Sequence, residues 1–310
     1  MFGNSLYYKL KPFIPRRIQI ALRRRIVLRK REKYSHVWPI DESAGKPPDG
    51  WTGWPDGKKF ALVLTHDVET AEGQDKCLKL MTLEKGLGFR SSFNLLAEEY
   101  RVFAELRHCI EKEGFEVGVH GLRHDGNLFS SLRTFREQAE RINQYTKEWK
   151  SKGFRAPCMY HNLEWISDLN IEYDSSTFDT DPFEPQPDGV GTIFPFWVQD
   201  GFKTKGFVEI PYTLSQDFTL FILMKERNID IWKKKLDWIV EKGGMVLSIT
   251  HPDYMNCKNG KCKIEEYPLE FYEEFLDYLK NKYEGQYWNP VPKEMARFWR
   301  ESRKGKRDAF

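Results

Sequence analysis

Long apolar runs are missing from this sequence, as are CxxC pairs, internal repeats and low-complexity tracts. No stretch approaches the roughly twenty apolar residues that a helix needs to cross a bilayer. The N-terminus offers no secretory leader, because arginines interrupt every apolar run there. Cysteine is sparse: Cys77, Cys109, Cys158, Cys257 and Cys262 form an odd, scattered set. With the missing leader, that set points to a reducing cytoplasm. Cys257 and Cys262 flank a turn sequence, Lys258-Asn259-Gly260-Lys261, and read as two free thiols on a hairpin; a zinc knuckle would need two further ligands. A net excess of positive charge is concentrated at one end. Residues 1–34 hold eleven Lys and Arg against the single acid Glu32, a local charge of +10, while the whole chain carries +3 and the remainder therefore −7. A mildly acidic body argues against a protein that wraps nucleic acid.

What is present is an ordinary folded composition, 40% hydrophobic and 31% charged over 310 residues, enough for a large core. The aromatic share of 15% suits a protein that stacks sugar rings, although most of those rings are expected in the core. Three stretches are distinguished: a basic amphipathic segment and Pro/Gly-rich linker (1–57), a barrel (58–285), and a C-terminal helix with a basic tail (286–310). In the first, Ile14, Ile18, Ala21, Leu22 and Ile26 recur near helical spacing among arginines. Such a helix can lie on an anionic leaflet, on the inner face of the cytoplasmic membrane. The competing reading is a basic helix docked on the acidic body. Apolar runs of strand length follow at 60–65, 92–96, 115–119, 153–156, 171–174, 207–210 and 245–249. Helical periodicity fills 78–85, 102–113, 132–150, 231–242 and 267–283. Alternating strands and helices imply parallel pairing in an α/β barrel. Residues 178–205 form a long excursion, a candidate lid or substrate loop.

Polar residues of chemical interest fall where predicted strands end, the rim on which β/α barrels build sites. Thr65-His66-Asp67-Val68-Glu69 follows the first strand and His120-Gly121-Leu122-Arg123-His124 the third. Arg155-Ala156-Pro157 ends the fourth, Asp174-Ser175-Ser176 the fifth and Thr250-His251-Pro252 the last. Two histidines four apart on a helical turn return to one face and can share an ion. Zinc wants such nitrogens, a third ligand that is often a carboxylate, and an open position. If the strand runs on, Thr65, Asp67 and Glu69 share one face while His66 turns away to pack. Two carboxylates beside two histidines repel unless a cation or proton separates them.

This set resembles the five ordered motifs of polysaccharide deacetylases with a NodB homology domain, carbohydrate esterase family 4, across about residues 58–285. The resemblance implies a distorted (β/α)7 barrel of the NodB type, here with a basic N-terminal extension, that holds a divalent metal, usually zinc. It implies His120 and His124 as metal ligands, Asp67 as general base and His251 as general acid. Asp174 would be the carboxylate that orients His251, and Arg155 the partner that holds Asp67. The family's adjacent second aspartate is replaced by Val68, so Glu69 would serve as third ligand, and the division of labour between Asp67 and Glu69 stays open. Cys158 stands where an aromatic residue is usual; only its backbone N–H is expected at the reaction oxyanion. Asp217 is a candidate substrate contact. The implied activity is N-deacetylation of a polysaccharide or of its lipid- or nucleotide-linked sugar precursor. The alternatives are a metal-dependent amidase on a small non-sugar amide or imide, and a non-catalytic glycan- or membrane-associated scaffold with a decayed site.

Overall fold

The computed structural model describes residues 14–186, 188–199, 206–257 and 261–302. Its centre is β1, Phe60–Val68, in which all nine residues are buried. A run that is apolar on both faces suits a strand covered on both sides, as parallel sheets require. β1 pairs in parallel with β2 (Ser91–Leu95) on one side and with β8 (Met245–Thr250) on the other. From β2 the parallel order continues through β3 (Glu116–Val119), β4 (Gly153–Phe154), β5 (Tyr173–Asp174) and β7 (Gly206–Glu209). These seven strands are the ones that the apolar runs predict. Two additions were not legible: β6 (Phe196–Gln199) runs antiparallel to β7, and β11 (Tyr287–Trp288) flanks the start of β1.

Among the described residues no strand ladder joins β7 to β8. The ring closes through the segment after β7, where the N–H groups of Thr213 and Leu214 each donate to the Leu247 carbonyl at 3.1 Å. Leu247 N–H in turn donates to Thr213 Oγ1 at 2.9 Å. The chain is therefore a curled parallel sheet wrapped by helices, the distorted (β/α)7 arrangement expected. Among those helices, Ala71–Leu87 is capped by Thr70, whose Oγ1 accepts from Gly73 N–H at 3.1 Å, and stops at Gly88 with φ +89°.

The remaining stretches pack on the same core. Trp51 and Trp54 of the linker lie against Trp299 of the C-terminal helix, with centroids 5.1 and 6.2 Å apart, so these rings serve the core. The excursion is only partly at the rim: Ile193 is buried, and its backbone bonds Ala44 and Met245 at the opposite, N-terminal end of β8. Strands β9 (Met255–Asn256) and β10 (Tyr267–Pro268) pair in parallel, so the loop bearing Cys257 and Cys262 is not a hairpin; both thiols are free.

The basic segment forms helix α1, Arg16–Lys33, docked by the face that carries Ile20 and Val27. Arg24 Nη2 and Nε donate to the carbonyls of Ile222 and Leu223 at 2.8 and 3.0 Å, while Arg16 pairs with Glu265 and Arg31 with Glu226. Ile18, Leu22 and Ile26 of the predicted stripe point the other way, at 50%, 53% and 56% exposure.

At the start of β3, Glu116 is buried, accepting from Tyr173 Oη–H and Lys293 N–H, both at 2.9 Å. Burial pushes its carboxyl up to about 7. A folded-state value above the unfolded one gives stability that is full below the ordinary carboxyl range and is lost as pH rises through about 7. Glu116→Gln, which mimics the protonated acid, should therefore gain on the wild type between about pH 5 and pH 8, by up to about 3 kcal/mol in urea unfolding. Parallel stability curves for the two proteins would refute this.

Candidate active site and metal centre

The site grows from Arg155, which is 1% exposed just beyond β4. A guanidinium cannot shed its proton inside a protein, so each of its N–H groups needs a partner. Nε donates to the Ser175 carbonyl at 2.8 Å and Nη2 to Ser175 Oγ at 2.6 Å. Nη1 donates to Thr65 Oγ1 at 2.8 Å and to Asp67 Oδ1 at 3.1 Å. Thr65 and Asp67 thus share the inward face of β1. His66 turns outward, with Nε2 2.8 Å from Glu84 Oε1 and Nδ1 2.7 Å from Thr250 Oγ1. Asp67 Oδ1 also accepts from Asn94 Nδ2 at 2.8 Å, a partner that no motif flagged. Oδ2 is left facing His120 Nε2 at 3.9 Å. Burial alone would push Asp67 up, but Arg155, then His120 and His251, hold it below the usual carboxylate range.

Glu69, His120 and His124 each place one donor atom within 4.8 Å of the others. His120 Nδ1–H donates to the Arg155 carbonyl at 3.1 Å, which leaves Nε2 as the inward lone pair. Burial pulls His120 down to about 4, so its imidazole is neutral, the form a metal binds. His124 Nε2 lies 3.0 Å from Glu69 Oε1, while Glu69 Oε2 accepts from Tyr254 Oη–H at 2.6 Å. Two imidazoles and one carboxylate form a donor set suited to zinc, so the residues fit the expected ion. Of the two carboxylates between which the sequence left the choice open, Glu69 groups with the histidines, while Asp67 has Oδ1 on Asn94 and Arg155 and Oδ2 beside His120. One expectation is corrected: the histidines do not converge on a helical turn, because residues 120–124 are a loop, turned by Gly121 at φ +73°. A Cβ on Gly121 would meet Pro157 at 2.8 Å, so this loop and the turn bearing Cys158 are packed in contact. Cys158, at φ +61°, holds its Sγ 3.6 Å from His124 Nε2.

Across the triplet, His251 follows β8, with Nε2 3.9 Å from Glu69 Oε1. Its Nδ1 lies 2.6 Å from Asp217 Oδ1, and its backbone N–H donates to Asp217 Oδ2 at 2.7 Å. The carboxylate on His251 is therefore Asp217, not Asp174. Asp217 is fully buried and also accepts from Tyr267 Oη–H at 3.0 Å, so the substrate contact expected of it gives way to this support. Asp174 instead accepts from Ser176 Oγ at 2.7 Å and pairs with Glu209. Burial, with Asp174 beside it, pushes the Glu209 carboxyl well above the ordinary carboxylate range. The cause is topological: β7 lies between Asp174 and β8, whereas the closing segment 213–217 runs beside β8. Burial pulls His251 down, but Asp217, Glu69 and Asp67 outweigh it and raise it to about 9.

No family model and no curated protein matches the chain. Solved structures match in fold. A protein from Mycobacterium smegmatis assigned as a polysaccharide deacetylase aligns at TM-score 0.63 and 16% identity, over 85% of this chain and 98% of that one. The Puue allantoinase aligns at TM-score 0.64 and 15% identity over the same shares, 85% and 98%. A polysaccharide deacetylase assignment from Pseudomonas aeruginosa PAO1 aligns at 0.61 and 16% identity, over 80% and 93%. The fold is the NodB-type barrel of the polysaccharide deacetylases, and it is shared with the allantoinase.

His120→Ala and Glu69→Gln should each weaken zinc binding by at least about 10²-fold, read by competition with a chromophoric chelator. A tightly held ion retained in both variants would show that the triplet is not the metal centre.

Proposed function

We propose that this protein is a zinc-dependent N-deacetylase acting on a glycan or on its lipid- or nucleotide-linked sugar precursor. The observation that carries the reading is the flanking of one Glu-His-His donor set by Asp67 on one side and by His251 with its own carboxylate on the other. When bound there, zinc would polarise the acyl carbonyl and acidify a water. Asp67 Oδ2 is the base that takes the proton of the attacking water, its other oxygen being fixed by Asn94 and Arg155. His251 keeps Nδ1 on Asp217 and gives the Nε2 proton to the departing amine. Raised to about 9, it carries that proton near neutral pH. The Cys158 backbone N–H is the proposed donor to the oxyanion, a role that asks nothing of the side chain and so tolerates cysteine there.

Acetate release from chitooligosaccharides or a lipid-linked N-acetylhexosamine, with no opening of cyclic imides, is the expected result. The reverse pattern would make this a small-amide hydrolase, the reading that the allantoinase likeness keeps alive. Loss of both activities in zinc-loaded protein would leave a scaffold.

The two carboxylates are distinguishable. Asp217→Asn should lower kcat by about 10²–10⁴-fold, because the amide no longer fixes the imidazole tautomer. Asp174→Asn, which removes no bond to His251, should lose far less. Equal losses in two variants of unchanged melting temperature would contradict the assignment of Asp217.

A further inference from the structure

We propose that the outward face of helix α1 is a docking surface for an anionic lipid bilayer, which holds the rim of the site against headgroups and so favours a glycan carried on a membrane lipid. The substrate half of this statement rests on the deacetylase reading; the surface itself does not.

α1 has two faces with different work. The inner one is committed to the body through Ile20, Val27 and the Arg24 bonds to backbone carbonyls. The outer one shows Ile18, Leu22 and Ile26, four residues apart and each about half exposed, with Leu28 at 43% beside them. These are half of the large exposed hydrophobic residues among the described residues. The other four, Leu78, Phe103, Leu132 and Ile264, are spread over separate elements, so α1 carries the one row of them among the described residues. Arg17, Arg25 and Arg29 are exposed on the same side. Apolar side chains interleaved with guanidinium groups match a leaflet whose acyl region takes the former and whose phosphates take the latter. A second copy of the chain meeting this face in two-fold symmetry would set arginine against arginine.

The position of α1 gives the surface its consequence. Arg23 lies over the Phe218 ring at 4.7 Å, Phe218 packs on Tyr254 at 4.8 Å, and Tyr254 donates to Glu69. Two aromatic rings therefore separate the helix from the metal triplet. Lys30 Nζ donates to the Pro182 carbonyl at 2.9 Å, which ties the other end of α1 to the excursion after β5. A bilayer against the outer face would lie alongside the rim.

Flotation of the full-length, zinc-loaded protein tests this. The wild type should float with phosphatidylcholine vesicles containing about a third phosphatidylglycerol and stay down with phosphatidylcholine alone, and added salt should weaken the binding. The triple variant I18S/L22S/I26S should lose at least about tenfold in partition, and Arg17→Gln, Arg25→Gln or Arg29→Gln about fivefold each. All six side chains lie off the buried face, so acetate release from a soluble oligosaccharide should persist. Failure of the wild type to float, or flotation untouched by the triple variant, would overturn the surface. So would sedimentation showing a dimer that I18S/L22S/I26S dissolves. Acetate release without flotation overturns this proposal alone; flotation without hydrolysis overturns the deacetylase reading and leaves the surface standing.

Discussion

A buried guanidinium governs the arrangement of this site. Arg155 sits buried inside the barrel, and its nitrogens are met by the first strand and by the turn after the fifth. One of its partners, Asp67 Oδ1, is thereby withdrawn from chemistry, and that withdrawal singles out the second oxygen. Its backbone acts as well, since the Arg155 carbonyl takes the Nδ1 proton of His120 and fixes which nitrogen faces inward. One residue thus orients the proposed base through its side chain and a proposed ligand through its main chain. Such burial is costly unless every group is satisfied, which explains why Thr65 and Ser175 belong to the site as acceptors for Arg155.

The second organising element is the imperfect closure of the barrel. A seventh ladder between β7 and β8 would leave the chain after β7 free to turn outward. Here that chain bonds Leu247 and runs on beside β8, bringing Asp217 against the histidine at the end of the same strand. Barrel closure and support of His251 are one structural event.

This explains what could and could not be read from residues alone. The seven core strands were legible because a two-sided burial leaves an unbroken apolar run, as in Phe60–Thr65. The two-residue spacing of Asp67 and Glu69 and the opposite facing of His66 followed from strand geometry. The partner of His251 was not legible. Asp174 ends one strand and Asp217 follows another, and only hydrogen bonding outside any strand decides between them. The apolar periodicity of α1 was legible, but its direction was not: isolated Ile20 and Val27 anchor the helix while the regular row faces out. Asn94 and Tyr254 carried no signal, because an amide or a phenol near a strand end is common and only proximity gives it a task.

Gly121 narrows the spacing motif itself. Of the three residues between the paired histidines, this one combines a left-handed backbone with a proline wall 2.8 Å from where a side chain would begin. The gap between the imidazoles is therefore not three interchangeable letters. In this chain the place directly after the first histidine is held for glycine by its backbone and by Pro157, and any larger residue there would have to bend the loop by another route.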